Sequence, residues 1–193
     1  MSDFVFYFVE GWKHIISFDA LDHQLFILAL AVVYSFADWK KVLILVTAFT
    51  IGHSLTLALS VLDIIRINSN LVEVLIPLTI VLTAAWNIFG AKGAKKINTN
   101  YFLALFFGLI HGLGFANSIR MMLASDQSIA MGLLGFNIGL EAGQVVMVLL
   151  ILLFTKLLVG VVKVPRKTYI VSVSVLILIV SLKIVVERIP SLS

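Results

Sequence analysis

Long apolar runs separated by short polar breaks dominate the chain from residue 20 onward. A helix needs about 20 apolar residues to cross the roughly 30 Å hydrocarbon core of a bilayer. Because lipid offers the backbone no hydrogen bonds, spanning runs of this kind are expected to be helical. The pattern therefore predicts an all-α, polytopic transmembrane bundle of about six spans, at residues 20–37, 42–62, 71–90, 101–123, 128–155 and 168–187.

The first 19 residues differ from these runs, because they mix aromatic and polar side chains. That mixture is typical of a helix at the membrane interface. We expect residues 1–19 to form an interfacial, re-entrant or half-inserted helix that leads into the first span. The longest break, 156–167, is too short for a soluble domain. We therefore interpret residues 1–193 as a single transmembrane domain.

Composition supports this interpretation. Hydrophobic residues make up 61% of the chain and charged residues 12%, whereas soluble domains average about 45–50% and about 25%. A soluble globular fold and a disordered chain are both excluded by these values. The chain has no cysteine, which also excludes disulfide scaffolds and thiolate metal sites.

The basic residues predict an orientation. The net charge is +4, which we attribute to cytoplasmic loops of a membrane protein rather than to nucleic-acid binding. Nine of the 14 Lys and Arg residues lie in the breaks at 38–41, 91–100 and 156–167. An excess of Lys and Arg marks cytoplasmic loops. We expect these three loops to be cytoplasmic and both termini to be periplasmic.

Ionisable side chains occur where a bilayer makes them costly. A charged group at mid-bilayer costs at least about 2.5 kcal/mol, and such residues often serve function. The predicted orientation places six candidates between the outer mouth and the midplane, where they could form one cluster in the outer half of the membrane. These residues are Asp22, His23, His53, Glu73, His111 and Glu141.

Each candidate also has a plain structural interpretation. Asp22 could cap its helix, Glu73 could face interfacial water, and a histidine could bond to a neighbouring helix. Taken together, they favour a metal site, because imidazole and carboxylate suit Ni, Zn, Co or Fe. Nearby polar side chains could orient the ligands or line the approach, namely His14, Asp19, Thr50, Ser54, Asn137 and Gln144.

Glycines recur on the fourth and fifth spans. Gly135, Gly139 and Gly143 follow a four-residue spacing, and Gly112 directly follows His111. Small residues at this spacing allow close helix packing in lipid. We expect these glycines to bring the two spans together and to place His111 near Glu141.

Five stretches of the chain resemble the HupE/UreJ family of bacterial membrane proteins, which are associated with hydrogenase and urease gene clusters. The stretches run from Asp22-His23-Gln24 to Glu141-Ala142-Gly143-Gln144, at residues 22–26, 49–57, 72–87, 107–116 and 136–144. The resemblance implies a multi-pass protein of the bacterial inner membrane that takes up nickel. It also implies that the histidine and acidic residues named above form the metal path.

Two functional classes remain open from the sequence. The first is a transporter or permease for Ni²⁺, with Co²⁺, Zn²⁺ or Fe²⁺ as other cargoes; it is not an enzyme and has no catalytic residues. The alternative is an intramembrane metal-dependent hydrolase, in which His, Asp and Glu hold zinc and Glu141 or Asp22 acts as general base. A structural or sensory subunit with bound metal is a third interpretation. A homo-oligomer is compatible with each of them.

Overall fold

The apolar runs form seven α-helices in the computed structural model, which describes residues 2–90, 97–122 and 128–192. No β-strand occurs in these described ranges. The last turns of the sixth helix widen into a π-helix, Lys156–Val161. The helices are α1 Asp3–Ile16, α2 Leu21–Ala31, α3 Trp39–Val61, α4 Ser69–Phe89, α5 Ile97–Met122, α6 Ile129–Thr155 and α7 Arg166–Arg188.

Polar residues in the breaks set where several helices begin. Ahead of α3, the Ser35 hydroxyl donates to the Asp38 carboxylate at 2.6 Å, within a capping box. Ahead of α4, the Asn68 side chain accepts a hydrogen bond from the Asn70 amide at 2.9 Å. Pro165 precedes the first turn of α7. The helix ends therefore follow local sequence signals that hydropathy alone does not carry.

Within the part of the chain that the structure describes, four helical segments are long and apolar enough to cross a membrane, namely Phe36–Val61, Ser69–Phe89, Ile129–Val161 and Arg166–Arg188. Helices α1 and α2 pass the same test only as a pair, and they meet at a bend of 67°. Helix α5 contains a shorter apolar stretch, Asn100–Ala116. The protein is thus an all-helical, multi-pass membrane protein.

One end of the bundle gathers the C-terminus of α7 and the N-terminus of α4, where Arg188 donates to the Glu73 carbonyl at 2.9 Å. We call it the Arg188 end. The start of α1 and the end of α5 also meet, because the Tyr7 hydroxyl donates to the Met122 carbonyl at 2.9 Å. In an up-and-down bundle, the end of α5 lies on the same side as the start of α4. Helix α1 therefore enters from the Arg188 end.

Helix α2 finishes at the opposite end, which we call the Arg166 end. The Asn87 side chain in the last turns of α4 donates to the Ala29 carbonyl at 2.7 Å. Arg166 at the start of α7 donates to the Val33 carbonyl at 3.0 Å. Helices α1 and α2 together therefore lead from one end of the bundle to the other. The structure thus packs the N-terminal helix into the bundle, with Tyr7 and Ile15 fully buried.

The glycines pair different helices from those that their spacing suggested. A Cβ atom on Gly139 would collide with the backbone carbonyl of Phe8, so α6 packs closely on α1. A Cβ atom on Gly108 would collide with the Phe49 carbonyl, so α5 packs closely on α3. The expectation that glycines join the fourth and fifth spans is therefore wrong. A small-residue stripe permits a close approach but does not specify the partner helix.

Candidate metal centre

The candidate site lies at the bend between α1 and α2. His14 is in the last turn of α1, and Asp22 and His23 are in the first turn of α2. A helix that stops inside a bilayer leaves carbonyl groups without partners. Gln24 supplies hydrogen-bond donors for these carbonyl groups: its Nε2 donates to the Ile15 carbonyl at 3.1 Å and to the Ser17 carbonyl at 2.8 Å. This amide stabilises the break that brings the side chains of the two helices together.

Three imidazoles converge at this bend: His14, His23 and His53, which we call the histidine cluster. Each offers one ring nitrogen, and these three atoms lie within 4.8 Å of one another. The His14 and His23 ring centroids are 4.6 Å apart, and the His53 ring centroid lies 6.1 Å from that of His23. Three nitrogen donors thus lie close enough together to be candidate ligands of one cation.

The ring nitrogens of the histidine cluster are buried and available. His14 Nε2, His23 Nε2 and both nitrogens of His53 make no close hydrogen bond among the residues that the structure describes, and the Asn137 side chain lies near His53. Leaving a buried polar group unsatisfied costs about 1–3 kcal/mol. His53 is fully buried, and the Phe136 ring stacks near it at 6.4 Å between centroids. A bound cation would satisfy one nitrogen of each ring.

His111 adjoins the histidine cluster without forming part of it. Its ring centroid lies 5.1 Å from that of His23. Its Nε2 lies 3.1 Å from the Thr79 hydroxyl on α4, whereas its buried Nδ1 has no partner among the described residues. Thr79 thus orients His111, and the free Nδ1 of His111 lies beside the histidine cluster.

Asp22 orients His23. One carboxylate oxygen, Oδ1, lies 3.2 Å from His23 Nδ1 and also accepts the His23 backbone amide at 3.0 Å. A carboxylate at Nδ1 favours the proton there and leaves the Nε2 lone pair to face a metal. The other oxygen, Oδ2, lies 3.4 Å from an Arg188 nitrogen. Asp22 therefore links the histidine cluster to the end of α7.

The structure leaves two of the acidic candidates outside the histidine cluster. Glu73 is exposed at the start of α4. Glu141 is half-buried on α6 and accepts a hydrogen bond from the Thr47 hydroxyl at 2.7 Å. The glycines do not bring Glu141 near His111, because they pack α6 against α1 and α5 against α3. The rotation of α6, which spacing alone does not reveal, places the Glu141 carboxylate against Thr47.

The polar neighbours named from the sequence have varied contacts. The Thr50 hydroxyl donates to the Gln144 side chain at 2.8 Å, and the Ser54 hydroxyl donates to the Thr50 carbonyl at 2.6 Å. Asn137 donates to the Leu133 carbonyl at 2.9 Å, and its side chain also lies near His53. The Asp19 side chain lies outside the described residues.

The sequence pattern indicates His14 only as a polar neighbour of the site and does not mark Gln24 or Arg188. The position of His14 depends on the break at residues 17–20, which hydropathy does not mark. Arg188 carried one usable signal, because the predicted topology already put it on the same side of the membrane as Asp22. Its long side chain reaches back from the last turn of α7 to the site.

The comparison with known families agrees with these features. The family model described as HupE / UreJ protein matches residues 1–188. No curated protein and no solved structure matches the chain. The family match covers every element that builds the site, from α1 through Arg188 at the end of α7. The chain therefore belongs to the HupE/UreJ family.

Proposed function

We propose that the protein is a transporter for a divalent metal ion, with nickel as the cargo, and that the histidine cluster binds the ion in transit. The observation that carries this proposal is the convergence of three buried ring nitrogens within 4.8 Å. Family membership supports it, since the family is associated with nickel and cobalt transport. Imidazole is a suitable ligand for Ni²⁺, and also for Zn²⁺ and Co²⁺.

The proposed topology has six crossings in the bacterial inner membrane. Helices α3 to α7 supply five, and α1 with α2 supplies one broken span. Transporter sites often use broken helices, where helix ends and irregular backbone lie at the site. The Arg166 end, which carries the Lys/Arg-rich segments 38–41 and 156–167, faces the cytoplasm in this proposal. The Arg188 end and the histidine cluster are then reached from the periplasm.

Polar pairs between α3 and α6 support a route from the histidine cluster toward the Arg166 end. Thr50 bonds to Gln144 one turn below His53, and Thr47 bonds to Glu141. Thr47 lies six residues before His53, which is about 9 Å along a helix axis. Conduction requires sites that release the ion as well as bind it. We propose these pairs as the next contacts of the cargo.

Transport accounts for the described site better than the zinc hydrolase alternative. A hydrolase needs a carboxylate free to take a proton from the metal-bound water. Asp22, which adjoins the histidine cluster, already faces His23 and Arg188. Glu141 faces Thr47 on the route described above.

Nickel uptake into proteoliposomes tests the proposal. Wild-type protein should accumulate ⁶³Ni²⁺, and His53→Gln and His53→Ala should lower both uptake and equilibrium binding at least tenfold. Ser174→Ala, which removes a buried hydroxyl from α7, is the matched control and should retain both. Wild-type protein that binds nickel but moves none would refute transport. Purified protein that hydrolyses a substrate, and stops doing so when a chelator removes its bound metal, would favour the enzyme instead.

A further inference from the structure

Arg188 places a permanent positive charge beside the candidate metal centre. Its guanidinium lies 3.4 and 3.5 Å from Asp22 Oδ2 through its two terminal nitrogens. It also donates to the Glu73 carbonyl at 2.9 Å. Asp22 in turn contacts His23 at 3.2 Å. A chain of contacts thus runs from the C-terminal turn of α7 to the histidine cluster.

The charges along this chain matter for a cation. The histidine cluster consists of imidazoles, and among the described side chains the carboxylate of Asp22 is the negative charge in direct contact with it. Arg188 compensates that charge while the ion pair is formed. A divalent ion that binds the imidazoles therefore adds two positive charges to a region that is already balanced. Interactions between charges are strong where little water screens them.

Arg188 also has a second contact, which can hold its side chain after the ion pair with Asp22 breaks. Its hydrogen bond to the Glu73 carbonyl is shorter than either contact with Asp22. The side chain is about one-third exposed, whereas Asp22 is 14% exposed. It emerges from the last turn of α7, where a long and flexible side chain can shift without moving the helix. The Asp22 contact can thus break while the Glu73 contact holds.

We propose that Arg188 is a built-in competitor of the cargo: it pairs with Asp22 in the metal-free protein, weakens metal binding, and thereby allows the ion to be released. The inference rests on the proposed function and deepens it by naming a positioning residue that sets the affinity. Arg188 acts through Asp22 and does not ligate the metal. A transport site needs this kind of restraint, since an ion held too tightly cannot leave.

Charge-removal variants test the role of Arg188. Arg188→Gln should tighten Ni²⁺ binding by about tenfold in calorimetry, because Asp22 is then uncompensated. It should also lower both the half-saturating nickel concentration and the maximal uptake rate, because release slows. Arg188→Lys keeps the charge and should stay close to wild type. Lys183→Gln is the matched control, since it removes a charge from the same helix where Lys183 pairs with Glu187 at 3.6 Å.

A double variant separates this role from a purely structural one. In an Asp22→Asn background, Arg188→Gln should no longer tighten binding, because the carboxylate for which it competes is gone. If Arg188 only joins α7 to α2 and α4, Arg188→Gln would weaken binding or leave it unchanged in both backgrounds. Either of those results would overturn the proposal. Tightening that persists undiminished with Asn at position 22 would also overturn it.

The two proposals fail in different ways. Wild-type protein that binds no nickel refutes the proposed function. Nickel binding that is weakened by His53→Gln but unchanged by Arg188→Gln refutes only the competitor role.

Discussion

At the residue scale, the site separates imidazoles from carboxylates. The histidine cluster offers unpartnered nitrogens, while Asp22 supports His23 from behind. This arrangement is common around metals, where a carboxylate fixes the ring that binds the ion. A carboxylate in this supporting position affects affinity without touching the cargo. The acidic residues predicted from sequence therefore have roles that differ from one another.

Glu141 provides the sharpest residue-scale prediction. Because Glu141 faces Thr47 rather than the histidine cluster, Glu141→Gln should leave nickel affinity within about threefold of wild type. It should still lower uptake at least tenfold, because the next contact on the route loses its charge. Parallel calorimetry and ⁶³Ni²⁺ uptake measure the two effects. A loss of binding as large as that of His53→Gln would place Glu141 among the ligands after all.

At the element scale, the close contact between α1 and α6 positions His14. The Gly139 backbone approaches the Phe8 carbonyl so closely that no side chain fits. About two turns of α1 follow this contact before the chain reaches the bend. Any displacement of α1 from α6 therefore moves a member of the histidine cluster. The glycines thus contribute to the metal centre although none of them touches it.

Gly139→Ala should destabilise this pair of helices. The added methyl group collides with backbone, and overpacking of this kind costs about 1–3 kcal/mol. We expect a lower thermal unfolding midpoint in detergent and weaker nickel binding. Gly160→Ala is the control, because a Cβ atom there would meet only the Lys156 side chain, at 3.9 Å. Equal stability of the two variants would contradict the close contact.

Hydropathy predicted most of the helices but not the break in the first span. The predicted spans at 42–62, 71–90 and 168–187 coincide with α3, α4 and α7 to within a few residues. The first predicted span, at 20–37, contains only the 11 residues of α2, while α1 packs into the bundle before it. Residues 17–20 carry no proline or glycine. The break is stabilised by Gln24, whose side chain reaches back to carbonyl groups at the end of α1 and leaves no signal in the hydropathy pattern.

Candidate side chains were predicted by their cost in lipid, and that criterion has a clear limit. It selected His23, His53 and His111, which do converge. It also selected Glu73 and Glu141, which face elsewhere. Depth along a span can be inferred from the sequence, whereas rotation about the helix axis depends on which helices are neighbours. The glycine-bearing helices were paired wrongly for the same reason, because spacing along the sequence does not identify the neighbouring helix.

At the scale of the whole molecule, the two ends of the bundle differ in chemistry. The Arg188 end leads to Asp22 and the histidine cluster through the α7 terminus. The Arg166 end carries the basic segments 38–41 and 156–167. An uptake protein requires the first end to face the periplasm and the second to face the cytoplasm. The direction of the proposed transport therefore depends on an orientation that labelling can measure.

The natural absence of cysteine makes that measurement direct. Ile67→Cys, at an exposed position near the Arg188 end, should react with a membrane-impermeant maleimide in intact cells whose outer membrane has been made permeable. Lys167→Cys, exposed at the start of α7, should react only after the inner membrane is opened. The positive-inside rule predicts this pattern. The opposite pattern would put the histidine cluster on the cytoplasmic side, where the same ligands would load metal for export rather than uptake.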